Sequence, residues 1–189
     1  MSIHKEIAFE NDICNHLVAH GWLYSEGDAV NYDRAYALYP ADVIAWIQST
    51  QPQAWQTLVK NHGTTAQKVV LDRLRKQLDD QGTLTVLRHG IELLGLRQPL
   101  QLAQFKPALA MNPDLQSRYT ANRLRVVRQV RYSLHNENNI DLVLFVNGLP
   151  VATVELKTNF TQSVHDAIDE YPYDRHPRPK NQNAAEPLL

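Results

Sequence analysis

Cysteine is almost absent from this chain. Cys14 is the only one in 189 residues, which excludes an intrachain disulfide and a cysteine-rich zinc site. No apolar run approaches the roughly 18–20 residues that a bilayer-spanning helix needs, so no membrane association is expected. Neither sign of charge prevails: 19 Lys and Arg stand against 20 Asp and Glu, a net charge of −1. This excludes a disordered polyelectrolyte and a globally basic nucleic-acid coat, but leaves room for a local basic groove. The N-terminus lacks the basic segment followed by an apolar one that marks a secretory leader. Internal repeats, low-complexity tracts and a G-x-x-x-x-G-K-[ST] phosphate loop are all missing. These absences point to a soluble protein in a reducing, cytoplasmic setting.

What is present is enough apolar material for a sizeable core, 43% of residues, in a length that suits one domain over 1–189. The first half reads as helical. Ile7, Phe9, Ile13, Leu17 and Val18 recur at near-helical spacing over 6–20, and Gly21 follows where a helix would stop. After a Tyr-rich loop, Pro40 and Pro52 can each open a helix, through Ile47 and Lys60. Thr64 or Thr65 can cap a longer one through Leu78, and a further helix is expected over 83–94, closing at Gly95. The character then changes. A short strand is expected over 100–105, helical turns over 114–121, and strands over 124–132, 140–146 and 151–156, where Val, Ile, Phe and Thr are frequent. A last helix is expected over 163–171, before a proline-rich tail. The pattern is that of a mixed α/β or α+β domain.

The chemistry concentrates in 140–157. Asp141 opens one apolar run, and Glu155 and Lys157 close the next. Ionisable groups at the ends of buried strands are costly unless paired or bound to a metal. Asn147-Gly148 marks a turn between antiparallel strands. A three-residue loop, 147–149, sets Val146 across from Pro150 and Asp141 across from Glu155, with Lys157 on the same face. A two-residue loop would put the carboxylates on opposite faces. A catalytic arrangement therefore requires an odd-length loop or a bulge that restores parity. Two carboxylates on one face are tolerable around a hard cation such as Mg²⁺, to which the Leu156 carbonyl could add an oxygen. Lys157 could orient or deprotonate a water and offset phosphate charge, a set suited to metal-assisted phosphodiester hydrolysis. The competing reading of the bare spacing is a surface salt bridge of Lys157 with Asp141 or Glu155.

The block NNIDLVLFVNGLPVATVELKTNFTQSVHDAIDEY resembles the N-terminal nuclease domain of the restriction (R) subunit of type I restriction enzymes. FKPALAMNPDLQSRYTANRLRVVRQVRYS and AFENDICNHLVAHGW resemble the same family, while 40–95 is weakly matched. The family belongs to the PD-(D/E)xK nucleases. The resemblance implies a restriction-endonuclease-like core, a central mixed sheet flanked by helices, with 40–95 as a helical insertion. It implies that Asp141, Glu155 and Lys157 are the metal-binding and catalytic residues, and that Glu10 on the first helix adds a further metal or water contact. The alternative for Glu10 is a solvated helix-face carboxylate. Related nucleases carry Gln-x₃-Tyr on the helix after the lysine; Tyr171 fits, but Ala167 stands at the Gln position. Tyr171 is then either a DNA contact or a packed core-edge tyrosine.

The resemblance further implies double-stranded DNA as substrate, Mg²⁺ as cofactor, and methyltransferase and specificity subunits as partners. ATP would serve only a C-terminal motor, which lies beyond this sequence, so the chain is expected to be an N-terminal fragment. A rival reading is a nuclease-fold assembly module that docks the motor onto the methyltransferase core through 40–95, for which exposed Trp46 and Trp55 would speak. Arg118, Arg123, Arg125, Arg128 and Arg131 form a local basic stretch that is either a phosphate contact or a solvated strand face. His16 and His20 share a helix face, but Leu17 occupies the Glu position of H-E-x-x-H, which favours two exposed histidines.

Overall fold

The computed structural model describes residues 2–109 and 111–156, with side chains from residue 7 onward. The expected helix over 163–171, the tail, and with them Lys157 and Tyr171 lie outside the described residues. Six α-helices and three strands are seen among the described residues: α1 (Ser2–Ala19), α2 (Pro40–Thr50), α3 (Pro52–His62), α4 (Ala66–Gln81), α5 (Thr83–His89), α6 (Pro113–Thr120), β1 (Leu124–Arg131), β2 (Asn139–Val146) and β3 (Leu149–Val154). The strands form one antiparallel sheet in the order β1-β2-β3. Its parallel component is a single bridge from Leu23 to Arg125 at the β1 edge. The architecture is mixed α+β.

Local chemistry explains most helix ends. Prolines open α2 and α3 at the first helical turn, where a missing N–H costs nothing. Helix α6 begins at Asn112-Pro113: the Asn112 side chain accepts from the backbone N–H groups of Asp114 and Leu115 at 2.9 and 3.2 Å, satisfying two of the donors a helix start leaves open. Two expectations need correction. The helix expected over 83–94 ends at His89, because Ile91 pairs with Leu100. A Cβ on Gly90 would come within 2.4 Å of the Leu100 carbonyl oxygen, so only glycine fits there. The strand expected over 100–105 makes that bridge and no ladder. Instead the Gln51 side-chain amide donates to the Gln101 carbonyl at 2.8 Å and accepts from its N–H at 2.9 Å, supplying what a neighbouring strand would.

Three apolar clusters hold these parts together. Ile13, Cys14 and Leu17 of α1 pack on Val126, Leu142, Leu144, Val154 and Leu156, covering one sheet face. Tyr32, Ala37 and Tyr39 cover Val127, Val143 and Phe145 on the other. Helices α2–α5 surround a third core that includes Trp46, Leu58, Leu74 and, from β3, Leu149. The 40–95 segment is thus a helical layer keyed onto the β2–β3 hairpin.

The hairpin tip is enclosed. Asn147 and Gly148 both have positive φ, 49° and 82°, as a two-residue type I′ turn requires. A Cβ on Gly148 would lie 2.3 Å from the Tyr39 carbonyl oxygen. Asn147 is fully buried. Its side chain donates to the Leu102 carbonyl and to Asn122 Oδ1, both at 2.9 Å, and accepts from the Arg123 N–H at 2.7 Å.

Candidate functional site

Hairpin register decides which residues share a face. The loop is the two-residue alternative, since Val146 pairs with Leu149 and Phe145 with Pro150. A two-residue loop alone would separate Asp141 from Glu155. The register then shifts: Leu144 pairs with Ala152, so Val151 is an extra, outward residue. Pro150 has no N–H to give a ladder, and a bulge beside it accommodates the loss. Beyond the bulge Leu142 pairs with Val154, and one step further Asp141 stands across from Glu155. Of the two routes to that register, an odd loop or a bulge, the chain takes the bulge.

Asp141 is fixed against the end of β3. Its Oδ2 accepts the backbone N–H of Leu156 at 2.7 Å. Its Oδ1 lies 3.5 Å from Nε2 of Gln129, the long limit of a hydrogen bond. Glu155 is half-buried and Leu156 buried in the cluster under α1. Asp141 thus carries one tightly bonded and one loosely bonded carboxylate oxygen beside the strand end that bears Glu155. Among the described residues no three Asp, Glu, His or Cys side chains converge as a metal cluster.

Glu10 is neither solvated nor open. It is 2% exposed, with Oε2 accepting from Nε of Arg128 at 2.8 Å and Oε1 from Nε2 of Gln129 at 2.9 Å. The Gln129 amide therefore stands between Glu10 and Asp141. Burial opposes the charge on Arg128, but hydrogen bonds with Tyr24 and Glu10 outweigh it and raise its pKa. Cys14 packs in the cluster beneath; burial pushes its thiol pKa up, against the pull of Arg128.

Of the basic stretch, Arg123, Arg125, Arg128 and Arg131 are ion-paired, while Arg118 is exposed on α6. Arg125 is buried and donates from Nε to Asp42 Oδ2 at 2.6 Å and from Nη1 to Asp28 at 2.5 Å. Arg123 reaches the same Asp42 at 2.8 Å. Arg131 pairs with Glu137. Burial works against Arg125, yet the Asp42 hydrogen bonds raise its pKa overall, and its guanidinium stacks 4.3 Å over the Tyr39 ring. Arg123, Arg125 and Arg128 thus each carry an internal carboxylate partner. Sequence reasoning missed Gln129, Asp28 and Asp42, whose partners lie far along the chain. His16 and His20 are exposed, with Nδ1 of His20 2.7 Å from the His16 carbonyl oxygen. Trp46 is buried and donates to the Gln101 carbonyl at 3.0 Å, and Trp55 packs on the same core. The tryptophans therefore do not mark an exposed docking patch. A cavity of about 810 Å³, lined by Val69, Arg73, Lys76, Leu93, Leu96 and Arg97 among others, lies on the helical layer.

These features define a mixed α+β domain with Asp141 anchored at the open end of an antiparallel hairpin. The family model for the type I restriction enzyme R protein N terminus matches residues 4–189, and the chain belongs to that family. No curated protein and no solved structure matches the chain. No described helix is long and apolar enough to cross a membrane.

Proposed function

We infer that this region is the Mg²⁺-dependent endonuclease part of a type I restriction enzyme, hydrolysing phosphodiester bonds of double-stranded DNA. The family supplies the setting. The observation that carries the reading is the anchoring of Asp141 on the Leu156 N–H at 2.7 Å, which sets one carboxylate beside the strand end that bears the other. Asp141, Glu155 and the Leu156 carbonyl would hold the ion. When bound, Mg²⁺ would supply charge neutralisation at the scissile phosphate and a more acidic water. Lys157, two residues past Glu155, would orient that water and offset developing phosphate charge. Glu10 acts one step back, clamping Arg128 and Gln129. Membership of the family supports placing that cleavage away from a recognition site, after ATP-driven translocation by C-terminal domains, in an assembly with methyltransferase and specificity subunits.

The test is cleavage by the complete R protein reassembled with its partner subunits. Asp141→Ala, Glu155→Ala and Lys157→Ala should each abolish cutting while ATP hydrolysis persists. A Lys157→Ala enzyme that cuts normally would refute the assigned chemistry, since a salt-bridge lysine is dispensable and a catalytic one is not.

A further inference from the structure

We propose that Gln129 is a positioning residue for Asp141, a neutral spacer that holds the carboxylate in place while leaving its charge available to a cation; this rests on the reading of Asp141 as a metal ligand. Gln129 sits within β1, yet its φ is +52°. A non-glycine residue is strained there and persists only where its surroundings enforce it. The surroundings are visible. Arg128 pairs with Leu142 and Val130 with Ile140, so Gln129 lies across from Asp141. Val127 and Val130, three residues apart, face the same cluster, as do Ile140 and Val143. A regular strand with a period of two cannot do this. The inversion falls on the Gln129–Asp141 pair and turns the Gln129 side chain toward α1.

Every polar atom of that side chain is then used. Nε2 donates to Glu10 Oε1 at 2.9 Å and reaches Asp141 Oδ1 at 3.5 Å, while Oε1 accepts from Asn139 at 2.5 Å. Glu10 is immobilised by Arg128. The amide therefore offers one N–H to each of two carboxylates that would otherwise repel. Asp141 is held chiefly by the Leu156 N–H at the end of β3, at 2.7 Å, and the Gln129 amide on β1 approaches its other oxygen at 3.5 Å, which orients the carboxylate. An arginine or lysine at 129 would do the same but would also neutralise Asp141 and compete with the cation. An amide does not.

The experiment uses the 189-residue chain with Gln129→Gly, which removes the amide and relaxes the positive φ, and Gln129→Asn, which tolerates that φ but shortens the reach. Three readouts are taken: thermal midpoint, hydrogen exchange of the Leu156 amide by NMR, and Mn²⁺ affinity by calorimetry, with Asp141→Asn as reference. Both variants should keep a midpoint at or near that of the parent. The Leu156 amide should exchange faster, and Mn²⁺ should bind about 10–100-fold more weakly, the usual cost of removing a group that orients a ligand. Unchanged Leu156 exchange and unchanged Mn²⁺ affinity in a folded variant would overturn the proposal. Faster Leu156 exchange in a protein whose Mn²⁺ binding ignores Asp141→Asn would uphold the positioning and overturn the metal-ligand reading instead.

Discussion

Asp42 offers the sharpest test of how the helical layer is fastened to the sheet. It is 1% exposed and receives Nε of Arg123 at 2.8 Å and Nε and Nη2 of Arg125 at 2.6 and 3.2 Å. It therefore ties the first turn of α2 to β1. Asp42→Ala would strand a buried guanidinium, a change worth about 3–5 kcal/mol when no partner remains. Here Asp28 still holds Nη1 of Arg125, so the expected loss is at the lower end, about 3 kcal/mol. For a domain of this size that lowers the melting temperature by about 6–12 °C. Arg123→Ala, which removes the more exposed arginine, should cost no more than about 1 kcal/mol. Circular-dichroism melts and urea titrations of the two single variants and the Asp42→Ala/Arg123→Ala double variant would measure these terms. An Asp42→Ala protein melting within about 2 °C of the parent would refute the fastening role, because a shift that small is under about 1 kcal/mol.

Gly148→Ala should destabilise by about 2–5 kcal/mol, from the positive φ and the clash with the Tyr39 carbonyl; a denaturant midpoint equal to the parent's would contradict the enclosed turn. Cys14 is buried and its thiol pKa is raised by that burial. Labelling by iodoacetamide near pH 8 should be slow in the native protein and fast in urea. The same shift makes its contribution to stability fully present below the ordinary thiol pKa and lost as pH rises through the raised one; chemical denaturation across that range reads the slope.

Elements set by neighbours in sequence were legible. Pro40, Pro52, Gly63 and Gly82 bound their helices as local rules require, and Asn-Gly announced the β2–β3 turn. Elements set by distant partners were not. Nothing near residue 100 says that the Gln51 amide will stand in for a strand, and nothing near Gly90 says that the Leu100 carbonyl will press on it. The pairing of Asp141 with Glu155 called for an odd loop or a bulge, and the chain uses an even loop and one extra residue at Val151; periodicity cannot tell these apart. The run of arginines before β2 was read as a phosphate contact or a wet face because its carboxylates, Glu10, Asp28 and Asp42, lie about a hundred residues away. Gln129 carried no signal at all, since a glutamine among arginines and valines looks like surface.

A hairpin fastened at both ends behaves like a riveted strap. Asn147 and Gly148 are gripped by the 102–123 segment and by Tyr39 and Val43, so the closed end opens only when the core around it opens. At the other end the Asp141 carboxylate takes the Leu156 N–H at 2.7 Å, and Leu142, Val154 and Leu156 lie under α1. Local opening follows gradients of burial and bonding, and here both rivets sit in packed surroundings. A pull on the helical layer at the tip is therefore passed along the strap to α1 at the far end.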